Sequence, residues 1–487
     1  MDVVASFAIL ALPVALIVLA ALALALGGLL QYRLAAWLAP ETRVAAVLAI
    51  VGIGAILSVA LTSRTLNEAQ LSATEFVTWD DYAKGFAASR WLSLLLLGAA
   101  VVEAIRGWLR ARAESTRDPA ESILWSAVAF YLGTLVIQSV GSDHIGFSHK
   151  DLYLPIVLVA VYYQRVERLE GVLETAKWVL FALVSGSLAG IFLSPDFVMH
   201  RPDPGLIPGV DWRLFGLTSH ANALGPAALV AVVLEVATRS RSSRLRWLRL
   251  GAAVAVLVFA QSRSTWAAGI AVVALVSVPL ALRPEAGRRA QQVAFRRAAW
   301  TLIACIAATI ALAFAFVGFG ATDYLQRRAE LTTLNGRFLI WDITLRAWRE
   351  NPLFGYGADV WGLDRQFRYY MFHVGHAHNQ VVQTLGEAGL AGLALLAAFL
   401  GALLRAAVLR FAESRGLLLA LLLVLLARCV TEAPMRSDGL LTWSTFLHVL
   451  IVVLACHYLR RPARERPRGA VRAPSVPRLG NVRLGTG

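Results

Sequence analysis

The chain is poor in cysteine, in lysine and in charge. Its three cysteines, Cys305, Cys429 and Cys456, lie in apolar runs with no pair at metal-ligand spacing, so neither a disulfide framework nor a thiolate centre is expected. Lysine occurs only at Lys84, Lys150 and Lys177, which makes the formal net charge of +15 an arginine charge. Charged residues are 16% of the chain and hydrophobic ones 58%, a balance that excludes a soluble protein of 487 residues. Ten-residue segments of alternating polarity are missing, which argues against an outer-membrane barrel. Nucleotide-binding glycine motifs and an H-E-x-x-H pattern are missing as well. No cleavable signal is expected, since the first apolar run, Val3 to Leu30, is too long and lacks a basic start.

What is there instead is a series of Leu-, Ala- and Val-rich runs of helical length: Val3–Leu30, Val44–Leu61, Trp91–Ile105, Ser122–Val140, Leu152–Tyr163, Thr175–Ser194, Ala221–Thr238, Leu250–Ala260, Thr265–Leu282, Ala299–Gly318, Asn379–Arg405, Leu417–Val430 and Leu441–Tyr458. Leu152–Tyr163 and Leu250–Ala260 are short for the hydrocarbon core and read as broken or partly buried helices. The expected fold is all-α, a polytopic helical membrane protein with about 12–13 transmembrane helices. Residues 1–460 form the transmembrane domain, with a large external loop over 320–378 that carries amphipathic sequence. Residues 461–487, rich in Pro, Arg and Gly, read as a basic disordered cytoplasmic tail.

The arginines cluster in short connections, at Arg239–Arg249, Arg283–Arg297 and after Arg460. That distribution follows the positive-inside rule, so the charge reports membrane topology and contact with membrane lipid, and no nucleic-acid partner is expected. Counted from a cytoplasmic C-terminus, the basic connections share one side. The other side receives seven of the nine histidines, His144, His149, His200, His220, His373, His376 and His378. Polar function is therefore expected on that non-cytoplasmic face.

The stretch that organises this face runs from Gly320 to Gly392. Within it, Arg337 to Arg349 has the pattern of an amphipathic helix, with Phe338, Trp341, Leu345 and Trp348 on one face and Asp342, Arg346 and Arg349 on another. Asn335-Gly336 can start it, and Asn351-Pro352 stops it. After a turn at Gly355 and Gly357 come His373, His376 and His378. His378-Asn379 opens an apolar helix, a position that favours the neutral imidazole a general base must be. The spacing of these histidines also suits zinc, but no companion cysteine is present and no metal or other cofactor is expected.

Two further segments approach the same boundary. One is Arg213 with the following GLTSHANALG, which places Ser219, His220 and Asn222 at the mouth of a span. The other is QSRST, which puts Arg263 in a polar break between two apolar runs. An arginine at a membrane edge is costly unless paired or binding a ligand. For Arg263 the plain reading is a helix cap or a carboxylate partner, and for Arg213 a loop arginine paired with Asp211 or reaching lipid headgroups. The functional reading is that arginines and a neutral histidine grip a pyrophosphate-bearing lipid: guanidinium forks pair with phosphate oxygens, and the imidazole takes a proton from an attacking hydroxyl. Arg337 and Arg346 are candidates for the same anion.

At these residues the chain resembles the O-antigen ligase and O-antigen polymerase superfamily. His378-Asn379, nine residues, then Gly389-Leu390-Ala391-Gly392 is similar to the ligase signature, and Arg346, ten residues, then Gly357 to the Arg-x10-Gly pattern of polymerase external loops. RLFGLTSHANALG and QSRST resemble the superfamily's two arginine-bearing segments, although eleven residues, not ten, separate Arg213 from Gly225. The resemblance implies a membrane glycosyltransferase in the bacterial inner membrane with its site facing the periplasm or exterior. Its donor is an undecaprenyl-diphosphate-linked glycan, and its acceptor a sugar of the lipid A core or a growing glycan. It implies that Arg213 and Arg263 hold the diphosphate and His378 activates or positions the acceptor hydroxyl, with no metal required; Arg337, Arg346, His220, Asn222, Asn379 and His376, which lie beside these segments, are expected to bind substrate. A Wzy-type polymerase is the alternative within the superfamily. A lipid-linked sugar flippase or transporter is the alternative outside it, for which Glu103 and Arg428 in apolar runs are the supporting signs.

Overall fold

Where the hydrophobic runs reach helical length, helices form. The computed structural model describes residues 18–33, 37–61, 79–114, 118–142, 149–201, 207, 210–238, 240, 242–277, 337–358, 360–369, 374–436 and 439–461. Expectations for Cys305, His373, the span Ala299–Gly318, the first part of the external loop and the tail fall outside these residues.

The helices, numbered here in chain order, are α1 (Val18–Arg33), α2 (Pro40–Leu61), α3 (Trp79–Glu114), α4 (Glu121–Val136), α5 (Tyr153–Tyr163), α6 (Glu170–Leu193), α7 (Pro195–Val198), α8 (Ala221–Ala237), α9 (Ser243–Ala260), α10 (Arg263–Val272), α11 (Arg337–Glu350), α12 (Leu363–Arg368), α13 (Gln380–Leu409), α14 (Leu417–Thr431) and α15 (Trp443–Arg460). Among the described residues, six helical stretches are long and apolar enough to cross a membrane: Pro40–Leu61, Ser89–Ala113, Glu121–Gly141, Glu170–Leu193, Gln380–Leu409 and Trp443–Arg460. Four shorter apolar helices accompany them. The protein is an all-α polytopic membrane protein, and among the described residues the only strands are the antiparallel pair β1 (Met199–His200) and β2 (Arg213–Leu214).

The short run Leu250–Ala260 proves to be the second half of α9, whose basic first turns the apolar count had left out. Glu103 and Arg428, which had favoured a transporter, have local partners: Arg43 lies 3.6 Å from Glu103, Gln31 donates to Glu103, and Arg428 donates to Ser444. In α11 the buried stripe is Ile340, Ile343, Thr344 and Ala347, which packs on Val360, Trp361, Val374 and Ala377. That corrects the expected apolar face: Phe338 is 56% exposed. The i, i+3, i+4, i+7 set of Ile340, Ile343, Thr344 and Ala347 faces the loop instead, where Trp361 Nε1 donates to Thr344 Oγ1 at 3.0 Å.

The element that places the site is a break in α13. Gly389 has φ +60° and ψ −156°, a conformation open essentially only to glycine. The loop after α11 substitutes for the helical bonds lost there. Leu390 donates to Pro352 O at 2.9 Å, Ala391 to Leu353 O at 3.0 Å, and Tyr356 donates to Gly386 O at 2.8 Å. A Cβ on Gly389 would lie 2.5 Å from the Leu353 carbonyl carbon, so backbone meets backbone with no room for a side chain. Asn351 and Pro352 thus end α11 and deliver its C-terminal loop onto the kink, which holds the amphipathic helix against the start of α13.

Gly389→Ala is therefore expected to cost about 1–3 kcal/mol from the backbone conformation alone, before the steric conflict is added. Thermal unfolding of the detergent-solubilised protein measures it, and an unchanged midpoint would contradict this account of the kink.

Candidate functional site

Four separate stretches converge at one end of the bundle. The first is β2 and the start of α8. Pairing with β1 fixes Arg213 beside the C-terminus of α9, where its Nε donates to Ala260 O at 3.3 Å and its Nη2 to Asn222 Oδ1 at 3.3 Å. Gln261, in the left-handed region at φ +50°, caps α9 and bonds through its side chain to Trp212 O and Ile207 N, tying this segment down. His220 is the N-cap of α8: its Nδ1 accepts from the amide of Asn222.

The second is the α9–α10 junction. Ser262 Oγ reaches Asn222 Oδ1 at 3.4 Å. Arg263 begins α10 with its side chain exposed and without an ion-pair partner among the described residues. The plain reading of a carboxylate partner is therefore not met among the described residues, since the side chain lies exposed at the first turn of α10.

The third is α11 and the histidine loop. Trp341 Nε1 donates to Ala377 O at 2.8 Å, and Ala377 N donates to Gln383 of α13, which pins the loop from both sides. His376 Nδ1 accepts from the amide of His378 at 3.0 Å, and the two rings lie with centroids 4.0 Å apart. His378 has φ +48°, uncommon for a residue with a side chain, and turns the chain into α13. The N-cap of that helix is Asn379, whose Oδ1 accepts from Val381 and Val382.

The fourth stretch is the end of α14, and it supplies the residue at the centre. Glu432, with only 12% of its side chain exposed, places Oε2 2.9 Å from His378 Nδ1 and 3.8 Å from His376 Nε2. Its Oε1 accepts from Arg337 Nη2 at 3.2 Å and from Asn222 Nδ2 at 3.2 Å. Burial alone would raise this carboxyl. The hydrogen bond from His378 and the charges of His378, His376 and Arg337 outweigh that and hold it well below the usual carboxylate range.

Of the residues singled out from sequence, the structure brings Arg213, Asn222, Arg337, His376 and His378 into one network, with His220 and Asn379 as the caps beside it. Arg346 stands apart: it is exposed and pairs with Asp342 of its own helix at 2.7 Å. Glu432 was not singled out. The available signal was an acidic residue at the end of an apolar run, on the face that gathers the histidines. Among the described residues, His376, His378 and Glu432 also form a set with metal-ligating atoms within 4.8 Å of one another. The Arg337 guanidinium on the same carboxylate competes with any cation there.

Burial, then the Arg213 guanidinium, push His220 down to about 4, with Glu432 acting in the opposite sense. Its folded value lies below the ordinary value near 6.5. The neutral, capping form therefore gives its full stabilisation above pH ~6.5 and loses it as pH falls towards about 4. His220→Asn retains a capping oxygen that does not titrate. Between pH ~7 and ~4.5 the wild type is expected to lose thermal stability relative to this variant, and parallel melting curves would refute the assignment.

No match was found among curated proteins. Residues 248–397 match the family model described as O-antigen ligase. The matched range contains Arg263, α11, the histidine loop and the kink of α13, whereas Arg213, Asn222 and Glu432 join it from outside. Over that range the chain is similar to the O-antigen ligase family, which supports placement in the O-antigen ligase/Wzy-like superfamily and a glycosyltransferase-like role in polysaccharide assembly.

Proposed function

We propose that this protein transfers a glycan from undecaprenyl diphosphate to a sugar hydroxyl, as an O-antigen ligase, on the periplasmic or outer face of the bacterial inner membrane. The observation that carries this reading is the convergence of Arg213, Arg337 and His378 on one Asn222–Glu432 bridge, with Arg263 starting the adjacent helix. Guanidinium groups at the end of a lipid-embedded bundle suit a diphosphate whose lipid tail stays in the membrane. The arginine-rich turns of α9 and the end of α15 lie at the other end of the bundle, which supports a non-cytoplasmic site.

In the reaction, the acceptor oxygen attacks the anomeric carbon from the side opposite the diphosphate. The bond from that carbon to the phosphate oxygen breaks, and undecaprenyl diphosphate departs with the electron pair while arginines neutralise its growing charge. His378 takes the hydroxyl proton and passes it to water. The sugar is transferred with inversion, and the chemistry calls on no nucleotide sugar.

Purified protein with a lipid-linked glycan donor and candidate acceptors tests this directly. His378→Ala is expected to lower kcat about 10²–10⁴-fold, and Arg263→Ala about 10²–10³-fold. Full activity in both variants would refute the site. In cells lacking the gene, loss of all polymer from the lipid A core indicates a ligase. Surviving single repeats on the core indicate a polymerase instead.

A further inference from the structure

The Glu432 carboxylate is ringed by donors, and their identities can be fixed one after another. Asn222 Oδ1 accepts from Arg213 Nη2 and from Ser262 Oγ, which turns its Nδ2 towards Glu432 as a donor. Arg337 has only donors to offer. Glu432 Oε1 therefore faces two N–H groups. His376 uses its Nδ1 to accept from the His378 amide, which leaves its proton on Nε2, the nitrogen nearest Glu432 Oε2 at 3.8 Å. The remaining close neighbour of Oε2 is His378 Nδ1 at 2.9 Å. An ionised carboxylate only accepts, so this nitrogen must be the protonated one.

We propose that Glu432 is the positioning residue for His378: Oε2 holds the proton on Nδ1, and Nε2 is thereby the basic nitrogen turned to the acceptor hydroxyl. The inference rests on the reading above, in which His378 takes that proton. It adds a residue from outside the matched family range and fixes which ring nitrogen does the chemistry. Arg337, Asn222 and the Nδ1 proton of His378 already bond to the carboxylate, which keeps it ionised, so the proton that His378 collects leaves from Nε2. His378 sits at φ +48° in a loop pinned by Trp341 and Gln383, and Glu432 fixes the one remaining freedom, the orientation of the ring.

Glu432→Gln separates this from a structural role, because the same ring of donors dictates how the amide lies. Arg337 and Asn222 both point N–H groups at Oε1, so the amide oxygen stays there. The amide NH2 takes the place of Oε2 and donates into His378 Nδ1. The imidazole proton is driven to Nε2, and the base presents an N–H to the acceptor in place of a lone pair. Volume is unchanged, and Arg337 keeps its partner.

The expected result is a fall in kcat of about 10³–10⁴-fold, the scale of wrong-tautomer substitutions in catalytic triads, with KM for the lipid-linked donor unchanged. In protein labelled with ¹⁵N-histidine, His378 is assigned by subtracting the His378→Ala spectrum. The wild type should then show Nδ1 protonated and Glu432→Gln should show Nε2 protonated. In Glu432→Ala, added formate should restore kcat at least several-fold, which a variant that merely misfolds does not allow. Wild-type kcat in Glu432→Gln, or Nε2 protonated in the wild type, overturns the proposal. Absence of formate rescue in a Glu432→Ala protein that melts like wild type also overturns it. If His378→Ala is fully active the general-base reading fails, while the tautomer spectra still decide whether Glu432 orders the ring.

Discussion

A carboxylate removed from most of its water needs partners, and the site is built around that requirement. An isolated buried charge costs several kcal/mol, so Glu432 is sustained only where Arg337, Asn222, His378 and His376 all reach it. The partners come from three separate parts of the chain, and their meeting with Glu432 ties α8, α11, α13 and α14 together at one end of the bundle. Removing Arg337 leaves the carboxylate without its compensating charge and removing Asn222 or His378 leaves it short of a donor, which gives the cluster a geometry fixed more tightly than loop residues usually have. A constellation held by mutual charge compensation is also responsive, since an incoming anion that draws on Arg337 changes what Glu432 is paired with.

Charge is handled in the same way at the other end of the bundle. Arg249 bridges Glu235 at 3.2 Å and Glu174 at 2.9 Å, with Lys177 3.8 Å from Glu235. Arg460 joins Asp118 at 2.7 Å, and Asp118 also accepts from Tyr162. These groups cross-link helices through ion pairs. At the site end Arg263 stands in the open, unpaired among the described residues, where an anion can meet it.

The broken helix explains why a glycine motif accompanies the histidine. Breaking α13 at Gly389 frees two N–H groups and a carbonyl, and the loop 351–356 takes them up. Gly355, at φ +79°, passes within contact of the Ala388 and Gly389 amides, where a Cβ would lie 2.7 Å from either nitrogen. The helix that carries His378 at its mouth is thus welded by backbone bonds to the amphipathic helix that carries Arg337. Imidazole and guanidinium are held in register by glycines that touch neither.

Much of this was readable in one dimension. Hydropathy and the arginine-rich connections are local, additive signals, so they specified a polytopic helical bundle, the limits of α11 between Gly336 and Asn351, and the face on which His220, His376 and His378 gather. The motif around His378 and Gly389 pointed to the family for the same reason, being contiguous in the chain. Which side of α11 is buried was not readable, because aromatic and aliphatic stripes both recur at helical spacing and only the shape of the neighbouring loop decides between them. Nor was Glu432, which stands 54 residues from His378, 95 from Arg337 and 210 from Asn222. No periodicity relates such positions. The sequence by itself determined a membrane bundle with basic and imidazole side chains at one end; only the tertiary structure decided which of them share a charge, because Coulombic pairing depends on distance in space and the chain records only distance along itself.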